Sequence, residues 1–516
     1  MNIQKIEKEL FHILQYLVEN EANINEEIVG VHKDFVLSAK NLFRYLMLRS
    51  FDLRKYHDSL SEIGISSIRT AEGYVLSNLF NVVKNLRLIQ QLPFEYNTES
   101  TPEMIGYKKS KKLLKKHSDN LFHVTKKINF TEIMVTLPNE AADDKKMIRD
   151  MVINGMDIAR INLSHGNKEI WRKMIAIIQE VREETSKKVK IYMDLSGPKI
   201  RTSDIQILGK KGKIKNSIPI RTGDHIIITK NKTLGKKSIY NEENEQLKKA
   251  EISVTLDEII DDANIGDLVL FDDGMIKSKV FAKTEETLEI VITDFYKSKI
   301  SAHKGINLPN TKLHLPALTK KDIEYLPFIC KYADMVGYSF VRSGDDVDKL
   351  YAELDKNKAK NIGIVFKIEN QEAFENLPDI LIAGMKRNKI GVMIARGDLA
   401  VEIGFERISE VQNEILWLCE SAHIPVIWAT QVLENLATSG IPTRAEISDA
   451  ALGSQAECVM LNKGPHINDA IHVLKDILVR MKGHTYKKKN ELRALNVSKR
   501  FVQRLQDKAV ASPKVL

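Results

Sequence analysis

From residue 130 onward the chain alternates short β-type runs with amphipathic helical stretches, and it does so eight times. The runs are "EIMVTL" (132–137), "DIARINLS" (157–164), "VKIYMDLSG" (189–197), "ADMVGYSFV" (333–341), "NIGIVFKIE" (361–369), "KIGVMIARGD" (389–398), "IPVIWATQ" (424–431) and "CVMLNKG" (458–464). Helical patterns such as 143–154, 168–185, 408–421 and 444–452 separate most of them. Eight strand–helix repeats predict an α/β protein built on a closed parallel (β/α)8 barrel. An open doubly wound sheet is the alternative, because periodicity does not encode closure.

The third and fourth runs are separated by roughly 130 residues, far more than a βα loop needs. Residues 203–303 hold short β runs such as "DHIIITKN", "GDLVLFDDGMIKSKV" and "TLEIVIT", punctuated by Gly, Asn and Asp. This predicts a small β domain inserted into one barrel loop, on the face where barrel enzymes keep their sites, and so placed to act as a lid. Before the barrel, residues 1–92 contain no proline and show helical spacing, as in Ile6, Leu10, Ile13, Leu14, Leu17 and Val18. That predicts a helical bundle, followed by a lysine-rich tether or exposed helix near 107–127. The expected division is a helical region with basic linker (1–118), the first part of the barrel (128–202), the insert (203–303), the rest of the barrel (304–483) and a basic tail (484–516).

Composition narrows the function classes. Lys and Arg number 78 against 69 Asp and Glu, a net charge of +9, and much of the excess sits in clusters such as "KKSKKLLKK" (108–116). No aromatic interleaving or known module accompanies them, so no nucleic-acid partner is expected. The N-terminal stretch reads as neither a signal nor a transit peptide, and no run of 18 apolar residues suggests a membrane span. Cys330, Cys419 and Cys458 lie far apart without metal-ligand spacing, which suits free thiols in a cytoplasmic protein.

Polar residues collect at the C-terminal ends of the runs, where barrel sites lie. Lys367 and Glu369 are two apart in a strand, so both point the same way, and burying such a pair is a poor stability device. A structural ion pair is the competing explanation. The second run ends with Arg160, Asn162 and Ser164; the third with Asp194, Lys199 and Arg201; the sixth with Arg396, Gly397 and Asp398; the seventh with Thr430. Glu369 and Asp398, from adjacent strands, form a donor pair suited to Mg²⁺, which takes one or two carboxylates and keeps waters and substrate oxygens. Lys367 and Arg160 offer positive charge to a transferring phosphoryl group. Gly397 at a helix start favours a bound carboxylate.

These residues sit in strings that resemble the pyruvate kinase family. The strings are "INLSHG", "DLSGPKIRT", "FDDGMI", "KGINLPNTKLHLPALTKKD", "SFVR", "KIEN", "ARGDLAVEIG" and "ATQVLENL…PTRAEISDAA", in the family's order through most of 130–480. The resemblance implies a (β/α)8 barrel with an inserted β-barrel lid and phosphoryl transfer from phosphoenolpyruvate to ADP, giving pyruvate and ATP. It implies that Lys367 stabilises the phosphoryl in flight, that Glu369 and Asp398 bind Mg²⁺ or Mn²⁺, and that Thr430 contacts substrate and assists enolate protonation. Arg160 would bridge phosphates, Ser339 matches a phosphate-facing serine, and His165 and Arg201 match positions near the nucleotide. Arg396, Gly397, Asp398 and Thr430 would surround the substrate carboxylate. Asn162, Ser164, Asp194 and the carbonyl of Leu195 match K⁺ ligands. Lys199 stands where K⁺-dependent members carry Glu, so K⁺ is expected not to be required.

The chain departs from the family at three places. The first run reads "VTLPNEAAD" (135–143) instead of entering "TIGPAS", and the eighth reads "LNKGPHIND" (461–469) instead of "SGETAKG", losing a Glu-Thr pair and adding Lys463. The residues after about 483 do not accommodate the usual C-terminal domain, so sugar-phosphate activation through it and the usual tetramer are not expected, although another homo-oligomer is compatible with the sequence. The N-terminal helices are an addition and a candidate docking site for a regulator. Two other readings stay open: a barrel enzyme using the same metal and enolate chemistry on another phosphorylated acid or as a lyase, and a catalytically silent metabolite- or nucleotide-binding regulator.

Overall fold

The computed structural model of the protein describes residues 2–65, 67–94, 102–122, 131–208, 213–481, 487 and 494–511. Eight parallel strands close into a barrel: β1 (Glu132–Thr136), β2 (Ile158–Asn162), β3 (Lys190–Asp194), β4 (Met335–Tyr338), β5 (Gly363–Ile368), β6 (Ile390–Ala395), β7 (Val426–Ala429) and β8 (Cys458–Leu461), with β8 pairing back onto β1. Closure settles the choice the periodicity left open. Alternation along each strand sends every second residue inward. Met134, Ile158, Met335, Val365, Met393 and Ile427 fill the lower interior. Two residues further along the same inward faces come Thr136, Arg160 and Lys367, so one strand face supplies first the packing and then the chemistry.

Between β3 and β4 lies the insert. Its main sheet has six strands in the spatial order Ala250–Ser253, His225–Thr229, Thr287–Phe295, Ile276–Lys283, Leu268–Phe271 and Ile306–Asn307. Its two edges are joined through one short segment: Thr202 bridges to Val254 and Arg201 bridges to Gly305. Thr255 N–H donates to the Arg201 carbonyl at 2.9 Å and Thr202 N–H to the Lys304 carbonyl at 2.9 Å. The sheet thus curls into a small barrel round Ile226, Ile228, Val269, Phe271 and Ile290.

The N-terminal helices include Ile3–Glu19, Val36–Leu48, Arg54–Glu62 and Val75–Ile89. Of the lysine-rich segment near 107–127, residues 107–122 are neither a tether nor an exposed helix, and 123–127 lie outside the described residues. Residues Tyr107–Phe122 form a helix whose Ser110, Leu114, His117, Leu121 and Phe122 are buried while its lysines face outward. Leu121 and Phe122 join the apolar cluster of the barrel interior and so form its floor. Glycines make room for them: a Cβ at Gly363 or Gly391 would lie 2.7 or 2.5 Å from Leu121. Lys190 Nζ donates to the Leu121 carbonyl at 2.9 Å, tying the helix end to β3. The segment expected as a basic tail carries a further helix, Asn496–Ala511, with Phe501 buried against Phe43 of the N-terminal bundle, ring centroids 5.2 Å apart. Its amphipathic stripe was hidden in the sequence by the surrounding lysines and arginines.

The seam between bundle and barrel is polar but satisfied, as buried groups must be. Asn41 Nδ2 donates to the carbonyls of Glu72 at 2.7 Å and Ser421 at 2.8 Å. The ring of His423, fully buried, has Nε2 at 2.9 Å from the Gly73 carbonyl and Nδ1 at 3.0 Å from Ser38 Oγ. A carbonyl only accepts, so Nε2 carries the proton and the Ser38 hydroxyl donates to Nδ1. Burial pushes the His423 pKa down to about 3. An unfolded histidine titrates near 6.5, so between about 3 and 6.5 the unfolded chain binds the extra proton. Stability from this ring is therefore complete above about pH 6.5 and declines toward pH 3, at up to about 1.4 kcal/mol per pH unit. Thermal unfolding of the wild type should lose more between pH 7 and pH 5 than that of His423→Gln; equal losses would contradict the assignment.

Candidate active site

The barrel mouth gathers charge from several strands onto one anion. Asp194 ends β3 and is fully buried. Its Oδ2 accepts from Arg160 Nη2 at 2.6 Å, Arg160 Nε at 3.1 Å and Lys367 Nζ at 3.2 Å. Arg160 is steadied on its other side by Thr136 Oγ1 at 2.9 Å. Lys367 Nζ also lies 2.9 Å from Glu369 Oε1 and donates to Ser339 Oγ at 2.7 Å. The Ser339 hydroxyl passes the chain on to the Leu195 carbonyl at 2.7 Å. Glu369 Oε2 accepts the backbone N–H of Phe340 at 2.7 Å.

Two cations and two anions thus compensate one another inside the barrel, which is the condition for burying any of them. Burial opposes the charge on Asp194, yet Lys367 and Arg160 hold its carboxyl below the usual range. Burial also opposes the charge on Lys367, and Asp194 and Glu369 together keep its ammonium above its usual value. Glu369 goes the other way: burial raises it and the Asp398 charge adds to that, against the pull of Lys367.

Asp398 sits in the first turn of the helix Arg396–Ile403 that follows β6. One of its oxygens, Oδ1, lies 2.6 Å from Lys199 Nζ. The resemblance groups Lys199 with Asn162, Ser164, Asp194 and Leu195, and the ion-pair partner of its ammonium is Asp398. Strand alternation gives no warning of this, since Lys199 lies past the end of β3. Asn162 Oδ1 accepts the Ser164 N–H at 3.0 Å, a local turn. Thr430, just past β7, has φ of 66°, a strained conformation for a β-branched residue and of the kind that collects at functional sites. Its Oγ1 accepts the Gly397 N–H at 2.8 Å and donates to the Ala429 carbonyl at 2.7 Å.

The Arg396 side chain is engaged by groups of the protein itself. Its Nε donates to the Ala429 carbonyl at 2.8 Å, its Nη2 to the Thr430 carbonyl at 2.7 Å and to Asp449 Oδ2 at 2.8 Å. It braces the Thr430 loop, and Asp449, far along the chain, was not foreseeable as its partner. Arg201 lies at the root of the insert, with Nη1 3.3 Å from the His303 carbonyl.

His165 lies in a cavity of about 310 Å³ beside the charged centre, lined also by Thr136, Asn139, Arg160, Glu434 and Lys463. Burial, then the charges of Lys463, Arg201 and Arg160, hold its pKa below the usual value. That cavity rim is accordingly cationic and suited to an anion. Among the described residues no group of three or more His, Cys, Asp and Glu forms a metal site.

A profile described as "Pyruvate kinase, barrel domain" matches residues 128–465. This chain belongs to the pyruvate kinase family. A pyruvate kinase of Sporosarcina psychrophila is 35% identical over 322 residues, covering 62% of this chain and 50% of the relative. One of Geobacillus stearothermophilus is 33% identical over 357 residues, covering 68% and 56%. The chain spans about half the length of these relatives. Among solved structures, a pyruvate kinase from Cryptosporidium parvum superposes with a TM-score of 0.60 at 29% identity, covering 69% of this chain and 70% of that one. Within the pyruvate kinase barrel of this chain, Thr136, Tyr192 (whose hydroxyl donates to Asp194 Oδ1 at 3.1 Å), the Phe340 N–H and Asp449 are site-supporting groups that sequence reasoning missed. Only Thr136 and Tyr192 carried a signal, being inward-facing by strand alternation.

Removing the Asp194 charge leaves Arg160 and Lys367 buried with one counter-ion between them. Asp194→Asn should destabilise the barrel by about 3–5 kcal/mol, as breaking a buried charge network does. A urea midpoint indistinguishable from wild type would refute this.

Proposed function

We propose that the protein transfers a phosphoryl group from phosphoenolpyruvate to ADP, forming pyruvate and ATP. The observation that carries this reading is Lys367, a buried ammonium kept charged between Asp194 and Glu369 at the mouth of a pyruvate kinase barrel. The reaction breaks the phosphorus bond to the enol oxygen and forms one to a terminal phosphate oxygen of the acceptor. The enolate left behind then takes a proton at its methylene carbon.

Such transfer depends mostly on positioning and charge neutralisation. Lys367 and Arg160 supply positive charge to the phosphoryl in flight, and Asp194 fixes both cations. The cationic cavity with His165 and Lys463 accommodates the acceptor phosphates, with Arg201 nearby at the root of the insert. Thr430 orients the enolate and assists its protonation. Glu369 and Asp398 fit a Mg²⁺ or Mn²⁺ ion: burial raises Glu369 and the charge of Asp398 adds to that, a cost a cation relieves. When bound, the ion supplies positive charge to the carboxylate and enolate oxygens of the substrate.

K⁺ is not required in this reading. Asp194, the charged member of the K⁺-like set, already has Arg160, Lys367 and Tyr192 as donors, and Lys199 adds a fixed ammonium at Asp398. The free thiols Cys330, Cys419 and Cys458 suit a reducing, cytoplasmic setting. No described helix is long and apolar enough to cross a membrane.

Purified protein with phosphoenolpyruvate, ADP and Mg²⁺ should produce pyruvate and ATP in equal amounts by NMR, and Lys367→Met should reduce the rate by about 10³-fold or more. Absence of both products from folded wild type, with Mn²⁺ and K⁺ also tried, would refute the activity. Replacing K⁺ by tetramethylammonium should change the rate by less than about twofold, whereas K⁺-dependent turnover would refute the cation assignment.

A further inference from the structure

Asp194 holds the two site cations, and something must hold Asp194. Its Oδ2 is taken by Arg160 and Lys367, leaving Oδ1 inside a barrel whose lower interior is apolar. The group that meets Oδ1 is the phenol of Tyr192, whose hydroxyl donates to it at 3.1 Å. Tyr192 and Asp194 are two apart in β3 and share its inward face. A tyrosine there crowds the barrel, and the crowding is relieved in one place. Gly337 of β4 stands directly beside Asp194 in the strand register. A Cβ at Gly337 would lie 1.9 Å from the Tyr192 hydroxyl and 2.3 Å from Asp194 Oδ1. The hydroxyl therefore occupies the space that any other residue at 337 would need.

Below the hydrogen bond, the Tyr192 ring belongs to the same apolar cluster as Leu121 and Phe122 of the floor helix, and Lys190 at the start of β3 is tied to that helix end. The column runs from the N-terminal helices through one aromatic ring to the anion of the site. An unmet carboxylate oxygen at this depth would be free to turn toward any donor, and the orientation of Arg160 and Lys367 would turn with it.

We propose that Tyr192 is a positioning residue of the site: supported from beneath by Leu121 and Phe122 and admitted by Gly337, its hydroxyl fixes the Asp194 carboxylate and through it the Arg160 guanidinium and the Lys367 ammonium. It touches no substrate. Its effect on turnover rests on the activity proposed above, while its effect on Arg160 does not.

Tyr192→Phe tests this with the ring packing retained. In ¹H–¹⁵N spectra the Nε–H of Arg160, buried against Asp194, gives a slowly exchanging signal in the wild-type protein, assigned by its loss in Arg160→Lys. In Tyr192→Phe that proton should exchange with water about tenfold faster while the backbone amides of β2 and β3 keep their protection. In turnover, kcat should fall about tenfold with KM for phosphoenolpyruvate within about twofold, the split expected when alignment and not binding is lost. An Arg160 Nε–H exchange rate unchanged in Tyr192→Phe would overturn the proposal, as would an unchanged kcat. If the wild type forms no pyruvate, the phosphotransfer reading fails, and the Arg160 exchange rate alone decides the role of Tyr192.

Discussion

The carboxylate of Asp194 is the interaction on which the barrel mouth depends. Two buried cations that converge on one carboxylate oxygen would repel strongly without it, and burying either alone would be costly. With Asp194 between them, Arg160 and Lys367 are held in fixed positions at the barrel mouth. Glu369 then serves two masters, since one oxygen balances Lys367 and the other is anchored by the Phe340 N–H. Everything further out follows from this balance. The Asp398–Lys199 pair, the Thr430 loop and the cationic cavity lie around a core already neutral and already oriented.

Much of this was legible in the sequence because strands report their own geometry. The period of two that placed Lys367 and Glu369 on one face also placed Ile158 below Arg160 and Val365 below Lys367. Eight alternating runs implied the barrel, although closure itself, the return of β8 to β1, became visible only in three dimensions. The insert was readable from its punctuation, and its curling into a small barrel depends on single bridges at Arg201 and Thr202 that no local pattern announces.

What the sequence hid were contacts made by long side chains across distance. Lys199 reaches to Asp398, and Arg396 reaches to Asp449; in both cases the residue type was noticed and the partner was not. Charge density also masked amphipathicity. The lysines of Tyr107–Phe122 suggested a solvated tether, because they outnumber the buried stripe of Leu114, His117 and Leu121 that decides where the helix goes. A helix is placed by the face it buries, however few residues that face contains.

The floor of the barrel has a consequence for how the chain is made. Leu121 leaves the ribosome early, and the glycines that receive it, Gly363 and Gly391, are synthesised long afterwards. Until β5 and β6 arrive, the apolar socket of the floor helix is only part-built, from β1 to β4. Such sequence-distant contacts slow folding and lengthen the interval in which a nascent chain can aggregate. The socket for Leu121 is thus completed only when β5 and β6 have been made.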